Sequence, residues 1–298
     1  MVPKRLVNIV LRALAALAVV AAPVHANAAA FLWEVSSMTN KIYLYGTVHA
    51  GKKEWYPLPP IVEQAFADSQ ALVVEADISD VEAMQKVQPA TYTPPDNLSK
   101  HVDAASYDRF RKLLPRYQLP EASVAKLKPF MAVSLLVFSD WARLGFRPEY
   151  SVEVYLIQKA EKAKMPVREL EGLDMQIELM DSLTEEQNQR VFEGTVDALE
   201  SGLADEQIKG MVATWQAGDP AKMFEIARKY NDKVKGAAEL EEKFVWGRHP
   251  AMLKKIEGYL NDSKERSFVA VGAMHLVGPR GLVEELRKRG YIVRQLGA

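Results

Sequence analysis

The chain has 298 residues, 48% of them hydrophobic, no cysteine and a formal net charge of −1. This excludes a disulfide-stapled scaffold, and nothing in it resembles the basic stripe of a nucleic-acid binder, so no nucleic-acid partner is expected. What remains is a chain long enough to bury one large core or two smaller ones.

The chain opens on a leader. Lys4, Arg5 and Arg12 accompany an apolar run, Ala13 to Ala22, followed by Pro23 and the small-residue sites Val24-His25-Ala26 and Ala26-Asn27-Ala28. A charged start, a short apolar run and an Ala-x-Ala site are the three parts of a secretory signal peptide. The run is shorter than the roughly 20 residues a membrane-spanning helix needs. A signal peptide at 1–28, cut near residues 26–30, is therefore expected, leaving one domain at 29–298 in the periplasm or secreted. Its removal takes three basic residues and no acidic one, so the mature chain is mildly acidic. The most apolar later stretch, Phe130 to Phe138, is stopped by Asp140 and Arg143, so no stable membrane span is expected after cleavage.

Phe31 to Val35 and Ile42 to Tyr45 flank a turn-rich gap, which predicts a hairpin. Pro59 to Ala67 reads as a helix. Ala71 to Glu75 is a continuous apolar run of the kind found in buried parallel strands. Pro89 to Asn97 reads as a surface loop. Pro129 to Leu144 carries Phe130, Val133, Val137, Trp141 and Leu144 at helical spacing and predicts a mostly buried helix. Helices at Val152 to Lys162 and Leu173 to Leu183 flank a less apolar strand at Pro166 to Leu170. From Thr184 to Asn261 nearly everything reads as helix, opened by the capping box Thr184-Glu185-Glu186-Gln187 and broken near Gly202, Gly218 to Pro220 and Gly236. Ser267 to Val271 is a strand. Pro279 can start a helix with the stripe Leu282, Val283 and Leu286, which Gly290 can end, and Tyr291 to Gln295 is a last strand. Such a crossover predicts a parallel pair. The fold class is α/β: a central, mainly parallel sheet with an N-terminal hairpin and a large helical insertion at 184–261.

Two segments match each other. Ile42 to Tyr45 leads into Gly46-Thr47-Val48-His49, and Phe268 to Val271 leads into Gly272-Ala273-Met274-His275. Each is an apolar strand, then Gly-x-x-His. Glycine allows a turn or a close approach, and the edge just past the strand ends is where parallel α/β sheets bind ligands. Four histidines lie beyond the leader; His101 and His249 have no such setting. Glu75 ends the strand at 71–75 and would share the edge with His49 and His275. It reads either as a third ligand or as a strand-end acid facing solvent or capping a helix, with Asp77 the alternate ligand. Two imidazoles and a carboxylate suit zinc, manganese, iron or cobalt and leave positions open.

Gly46-Thr47-Val48-His49, the Val-Glu75-Ala strand, Lys128-Pro129-Phe130, Leu170-Glu171 with Gln176, and Val-Gly272-Ala-Met-His275-Leu-Val-Gly278-Pro-Arg-Gly281-Leu together resemble the TraB/GumN family, which belongs with the Tiki metalloproteases in a wider group. The resemblance runs over nearly the whole mature chain and implies divalent-metal-dependent hydrolysis through two Gly-x-x-His motifs and a glutamate, here His49, His275 and Glu75. The resemblance leaves the substrate of the exported bacterial members open; the expected ion is manganese, cobalt or zinc, and a peptide is the expected class of substrate. Two places depart from the family pattern. Ser151-Val152-Glu153 stands where the family often has Gly-x-Asp, and Arg248-His249 where it often has Arg-Asn. Arg248 reads either as a binder of a substrate carboxylate or oxyanion or as half of a surface salt bridge. Glu171 reads either as an outer acid or general base or as a helix cap. The expected function is a periplasmic metal-dependent hydrolase of peptidase type. The alternative is a non-catalytic periplasmic ligand- or metal-binding protein serving export or polysaccharide assembly.

Overall fold

A computed structural model describes residues 30–78, 91–262 and 264–297. The expected signal peptide at 1–28 and the start of the expected loop at Pro89 lie outside the described residues.

Among the described residues six strands form one sheet: β1 (Leu32–Ser36), β2 (Lys41–Thr47), β3 (Ala71–Val74), β4 (Val167–Glu169), β5 (Ser267–Gly272) and β6 (Ile292–Gln295). Their order is β4-β3-β5-β2-β1-β6. β4, β3, β5 and β2 pair in parallel, while β1 is antiparallel to both β2 and β6. Every residue of β3 and β5 is buried, which explains their continuous apolar runs. The hairpin expected at the start is present. Its turn is held by Asn40, whose side-chain amide donates to the Tyr259 and Glu265 carbonyls at 3.0 and 2.9 Å.

The C-terminal unit departs from expectation. β5 and β6 run in the same direction, but β2 and β1 lie between them, so they are not a pair. β2 is buried over six of its seven residues and takes the central place beside β5. β6, half exposed, suits an edge. Pro279 does not start the last helix either. Residues 278–281 close a turn, with the Gly281 amide donating to the Gly278 carbonyl at 3.0 Å, and the helix begins at Leu282.

The helices are α1 (Pro60–Ala67), α2 (Ala104–Leu113), α3 (Glu121–Val124), α4 (Pro129–Arg143), α5 (Val152–Ala163), α6 (Leu173–Asp181), α7 (Glu185–Ser201), α8 (Leu203–Gln216), α9 (Pro220–Asn231), α10 (Ala237–Phe244), α11 (His249–Asn261) and α12 (Leu282–Lys288). The capping box at Thr184 forms in full. Gly202, at φ +78°, separates α7 from α8, and the Asp219 side chain caps α9 ahead of Pro220. α2 and α3 occupy a stretch that the sequence pattern left unassigned; the Asp103 side chain caps α2 by accepting from the Ser106 amide at 2.9 Å.

Two large apolar cores result among the described residues, beside a small cluster of Ala50, Phe146 and Val212. One surrounds the sheet, with Leu44, Leu72, Ile157, Ile256, Phe268 and Leu286 among its buried members. The other is helical and draws on both β3–β4 and β4–β5 connections, through Phe110, Leu136, Phe192 and Val196.

Gly46 shows how tightly the first core is closed. A Cβ there would lie 2.6 Å from Phe31 Cδ1 and 3.2 Å from the Ala273 backbone. Phe31 is buried and packs edge-on against Trp33 at 5.2 Å, so it has little room to yield. Gly46→Ala is expected to destabilise the fold by about 1–3 kcal/mol through overpacking, read as a lower urea midpoint at unchanged slope. An unchanged midpoint would show that Phe31 can repack.

Candidate functional site

The parallel strands β2, β3 and β5 end on one edge, and the residues just past their ends meet there. In register, Thr47 pairs with Gly272, not Gly46 with Gly272. The two Gly-x-x-His motifs are therefore offset by one residue, and their histidines reach the site differently. His49 follows β2 directly and its side chain is 61% exposed. His275 ends a short turn of helix, Ala273–His275, and is buried.

Gly272 lies where the groups converge. A Cβ there would be 3.3 Å from Glu75 Oε1, 3.4 Å from His49 Nε2 and 3.6 Å from His275 Cδ2. Its amide donates to Glu75 Oε1 at 2.7 Å. Both motif glycines thus serve close approach rather than a turn: Gly46 admits packing, and Gly272 leaves room for the three side chains.

Behind His49 stands Glu153, in the first turn of α5, with Oε1 2.8 Å from His49 Nδ1. Thr47 Oγ1 donates to the same oxygen. The Glu153 charge raises the His49 pKa to about 9 against the opposing effect of burial. With the ring largely open to water, solvent weakens that pull. The position where the family pattern was broken therefore supplies the carboxylate that orients His49.

Behind His275 stands His249, a residue that the sequence pattern gave no setting. Its Nε2 is 3.0 Å from His275 Nδ1, and its own Nδ1 is 2.8 Å from the Arg280 carbonyl. On the other side Arg248 Nη1 lies 3.2 Å from His275 Nε2. A guanidinium only donates and a carbonyl only accepts. Both ends therefore dictate the same order: Arg248 donates to His275 Nε2, His275 Nδ1–H donates to His249 Nε2, and His249 Nδ1–H donates to Arg280. Both imidazoles are neutral in this chain. Burial depresses their pKa values accordingly, to about 3 for His275 and about 4 for His249.

Arg248 is no surface residue. Its guanidinium pairs with Glu75 and Glu171, the three side chains being 10%, 11% and 2% exposed. Its Nε also lies 3.1 Å from each Glu171 oxygen. Burial alone would raise the Glu75 pKa, but His275, Arg248, His49 and the Gly272 amide together bring it down to about 2. His275 is uncharged at neutral pH, so there Arg248, the protonated His49 and the amide are the lasting causes. Burial raises the Glu171 pKa against the pull of Arg248. Gln176 donates to Glu75 Oε2 at 3.4 Å. The Asp77 amide donates to Glu169, on the β4 side.

Residues 31–295 match the TraB/PrgY/gumN family. The chain belongs to that family. It is 24% identical over 246 residues to the Uncharacterized protein YbaP of Escherichia coli strain K12, covering 82% of this chain and 87% of that protein. It is also 24% identical over 316 residues to a Metalloprotease TIKI homolog of Amphimedon queenslandica, covering 89% and 61%. With Metalloprotease TIKI2 of Xenopus tropicalis it shares 21% over 315 residues, covering 90% and 60%. The chain thus spans about three fifths of these TIKI proteins. No solved structure matches it.

The donors at this edge suit a divalent ion in kind: two imidazoles and a carboxylate, each imidazole with an outer partner on its other nitrogen, around a glycine without a side chain. Among the described residues no three His, Asp or Glu side chains stand together closely enough to hold an ion as they are. Arg248 lies against two of the groups that would face it, Glu75 and His275 Nε2.

The histidine chain sets an acid limit in the metal-free protein. The unfolded chain takes up protons at His249 and His275 from about pH 6.5 downward, the folded protein only near 4 and 3. Their contribution is whole above pH 6.5 and is lost as pH falls toward 3, at about 1.4 kcal/mol per pH unit for each proton. His49 has the opposite sign: its raised pKa favours the fold below pH 6.5, and that part fades between 6.5 and about 9. Urea unfolding from pH 4 to 6.5 should show a slope that His249→Asn reduces by about one proton. An equal slope in both proteins would mean that His249 is not held neutral.

Proposed function

We propose that the protein is an exported, metal-dependent hydrolase acting on peptides, with His49, His275 and Glu75 as ligands of one divalent ion, manganese, cobalt or zinc. The observation that carries this reading is the convergence on Gly272 of His49 Nε2, Glu75 Oε1 and the His275 ring, with Glu153 and His249 behind the two histidines. The name Metalloprotease borne by the TIKI relatives supports the reaction class. The basic and apolar leader supports export, and no helix among the described residues is long and apolar enough to cross a membrane.

When bound, the ion would supply Lewis-acid activation of a carbonyl and of the attacking water. The chain's own residues do the rest. Glu75, kept ionised by Arg248 and the Gly272 amide, offers Oε1 as ligand or as proton acceptor. Glu171 positions Arg248. Once Arg248 Nη1 leaves His275 Nε2, it is a donor available to an oxyanion. A second reading, a binding protein without turnover, is favoured by one observation: Arg248 already satisfies Glu75 and contacts His275.

Protein purified without a histidine tag is expected to bind one divalent ion per chain and to gain about 2.7 kcal/mol of stability at a hundredfold excess over Kd. His49→Ala and His275→Ala should abolish the gain. His101→Ala should keep it, because His101 stacks on Tyr92 and bonds Asp96 instead. Binding should strengthen as pH rises toward about 9, since His49 must give up its proton. Chelator-sensitive cleavage of a peptide library completes the test. Equal melting shifts in wild type and both variants would remove the ligand assignment; metal binding without any cleavage would favour the binding-protein reading.

A further inference from the structure

His49 and His275 border a cavity of about 350 Å³. Its apolar walls come from separate parts of the chain, among them Trp141 of α4, Ile208, Met211 and Val212 of α8, Phe244 at the end of α10 and Met274 after β5. Among the described residues, the two histidines are the only titratable side chains in its lining. Glu75, Glu153, Glu171 and Arg248 all lie outside it. Thr47 is the polar group nearest the histidines in sequence, and its hydroxyl is already committed to Glu153. The charged half of the edge and the apolar half are thus segregated, with the histidines on the boundary.

Apolar walls facing an open hollow are unfavourable unless something covers them. The volume lies at the low end of small-ligand pockets, about 300–1,000 Å³. We propose that this hollow receives the bulky apolar side chain, aliphatic or aromatic, of an extended peptide whose adjoining bond lies at His49 and His275. The proposal rests on the hydrolase reading and names its substrate class. Gln207 favours a peptide over a plain acyl chain. It lines the hollow, its side chain has no hydrogen-bond partner among the described residues, and its amide can both donate to and accept from a peptide backbone. Met211, Met223 and Met274 in the lining are unbranched and adapt to different shapes. Selection should therefore be broad among Leu, Met and Phe and strict against charge.

The test uses the full mature protein with ¹³C-labelled methionine methyls, held metal-free by chelator so that nothing is cleaved. The probes are blocked pentapeptides, acetyl-Ala-Ala-Xaa-Ala-Ala-amide, with Leu, Phe, Gly or Asp at the centre, and decanoate as the acyl comparison. Leu and Phe peptides should shift the Met211 and Met274 methyl signals and bind about 10- to 100-fold more tightly than the Gly and Asp peptides. Ile208→Glu should weaken the Leu peptide at least tenfold and leave the metal-induced melting shift in place. Met211→Trp, which fills the hollow with an apolar ring, should do the same and serves if Ile208→Glu fails to fold. Equal binding of Leu and Asp peptides, methyls that no peptide moves, or methyls that only decanoate moves would each overturn the proposal. The two readings separate cleanly. A Leu peptide that binds but is never cut with manganese, cobalt or zinc removes the hydrolase and keeps the hollow. Cleavage indifferent to the central residue keeps the hydrolase and removes the hollow.

Discussion

Glu75 and Glu171 arrive at the same place from different strand ends, and both are nearly out of water. Two carboxylates in that position repel each other and have lost their hydration. A single guanidinium answers both. Arg248 Nε faces the two Glu171 oxygens, Nη2 joins Glu75 to Glu171, and Nη1 reaches His275 Nε2 and the Phe244 carbonyl at 2.8 Å. No ammonium could serve, because the task needs several donors in one rigid plane. The loop after β3, the loop after β4 and the start of α11 are therefore tied to one another through this group. Taking out one partner of such a buried set costs about 3–5 kcal/mol, because the other charges are left uncompensated.

The sheet decides which groups meet Arg248. β3 beside β5 and β5 beside β2, all parallel, bring three strand ends to one edge. The one-residue offset between β2 and β5 then separates two motifs that look alike. The β2 motif ends in an imidazole open to water and paired with Glu153. The β5 motif ends in a buried, neutral imidazole tied to His249. Similar sequences so acquire different electrostatics: the His49 pKa moves up and the His275 pKa moves down.

This difference also marks what the sequence could reveal. The strand ends were legible because burial on both faces leaves unbroken runs such as Ala71–Val74, and the edge location of His49, Glu75 and His275 followed from that. The helices at 98–128 were not, since α2 is mostly exposed and is announced only by its cap at Asp103. The partners of the site were not legible either. Glu153 and His249 look like ordinary polar residues until long-range packing, 104 residues from His49 to Glu153 and 26 from His249 to His275, places them behind the ligand candidates; Arg248 was singled out only by the family resemblance, with its partners unspecified. Arg248 as half of a surface salt bridge was a fair expectation on composition; only its burial decides otherwise. β6 failed for a related reason: a crossover helix sets direction, but neighbours are chosen by how much of each strand must be buried.

The charges at this edge bear on what it could hold. Glu75, Glu153 and Glu171 are three carboxylates. Arg248 and a protonated His49 offset two of them, while His249 and His275 are neutral, so the closed arrangement keeps one negative charge in excess. Glu75, Glu171 and Arg248 are nearly out of water, where an uncompensated charge is unfavourable and a site tends toward neutrality, while His49 stands at the open side. On the proposed reading, His49 would give up its proton in order to hold a divalent ion. Two positive charges would arrive as one leaves, and the excess would disappear without any change of charge at Glu171 or Arg248. His275 needs no such exchange, because burial already keeps it neutral with Nε2 as the acceptor. On that reading the two histidines have different tasks: His275, held neutral by burial, has no proton to release, and His49 carries the pH dependence. Arg248 has only to shift Nη1 from His275, while its bonds to Glu171 hold it within reach of the same edge.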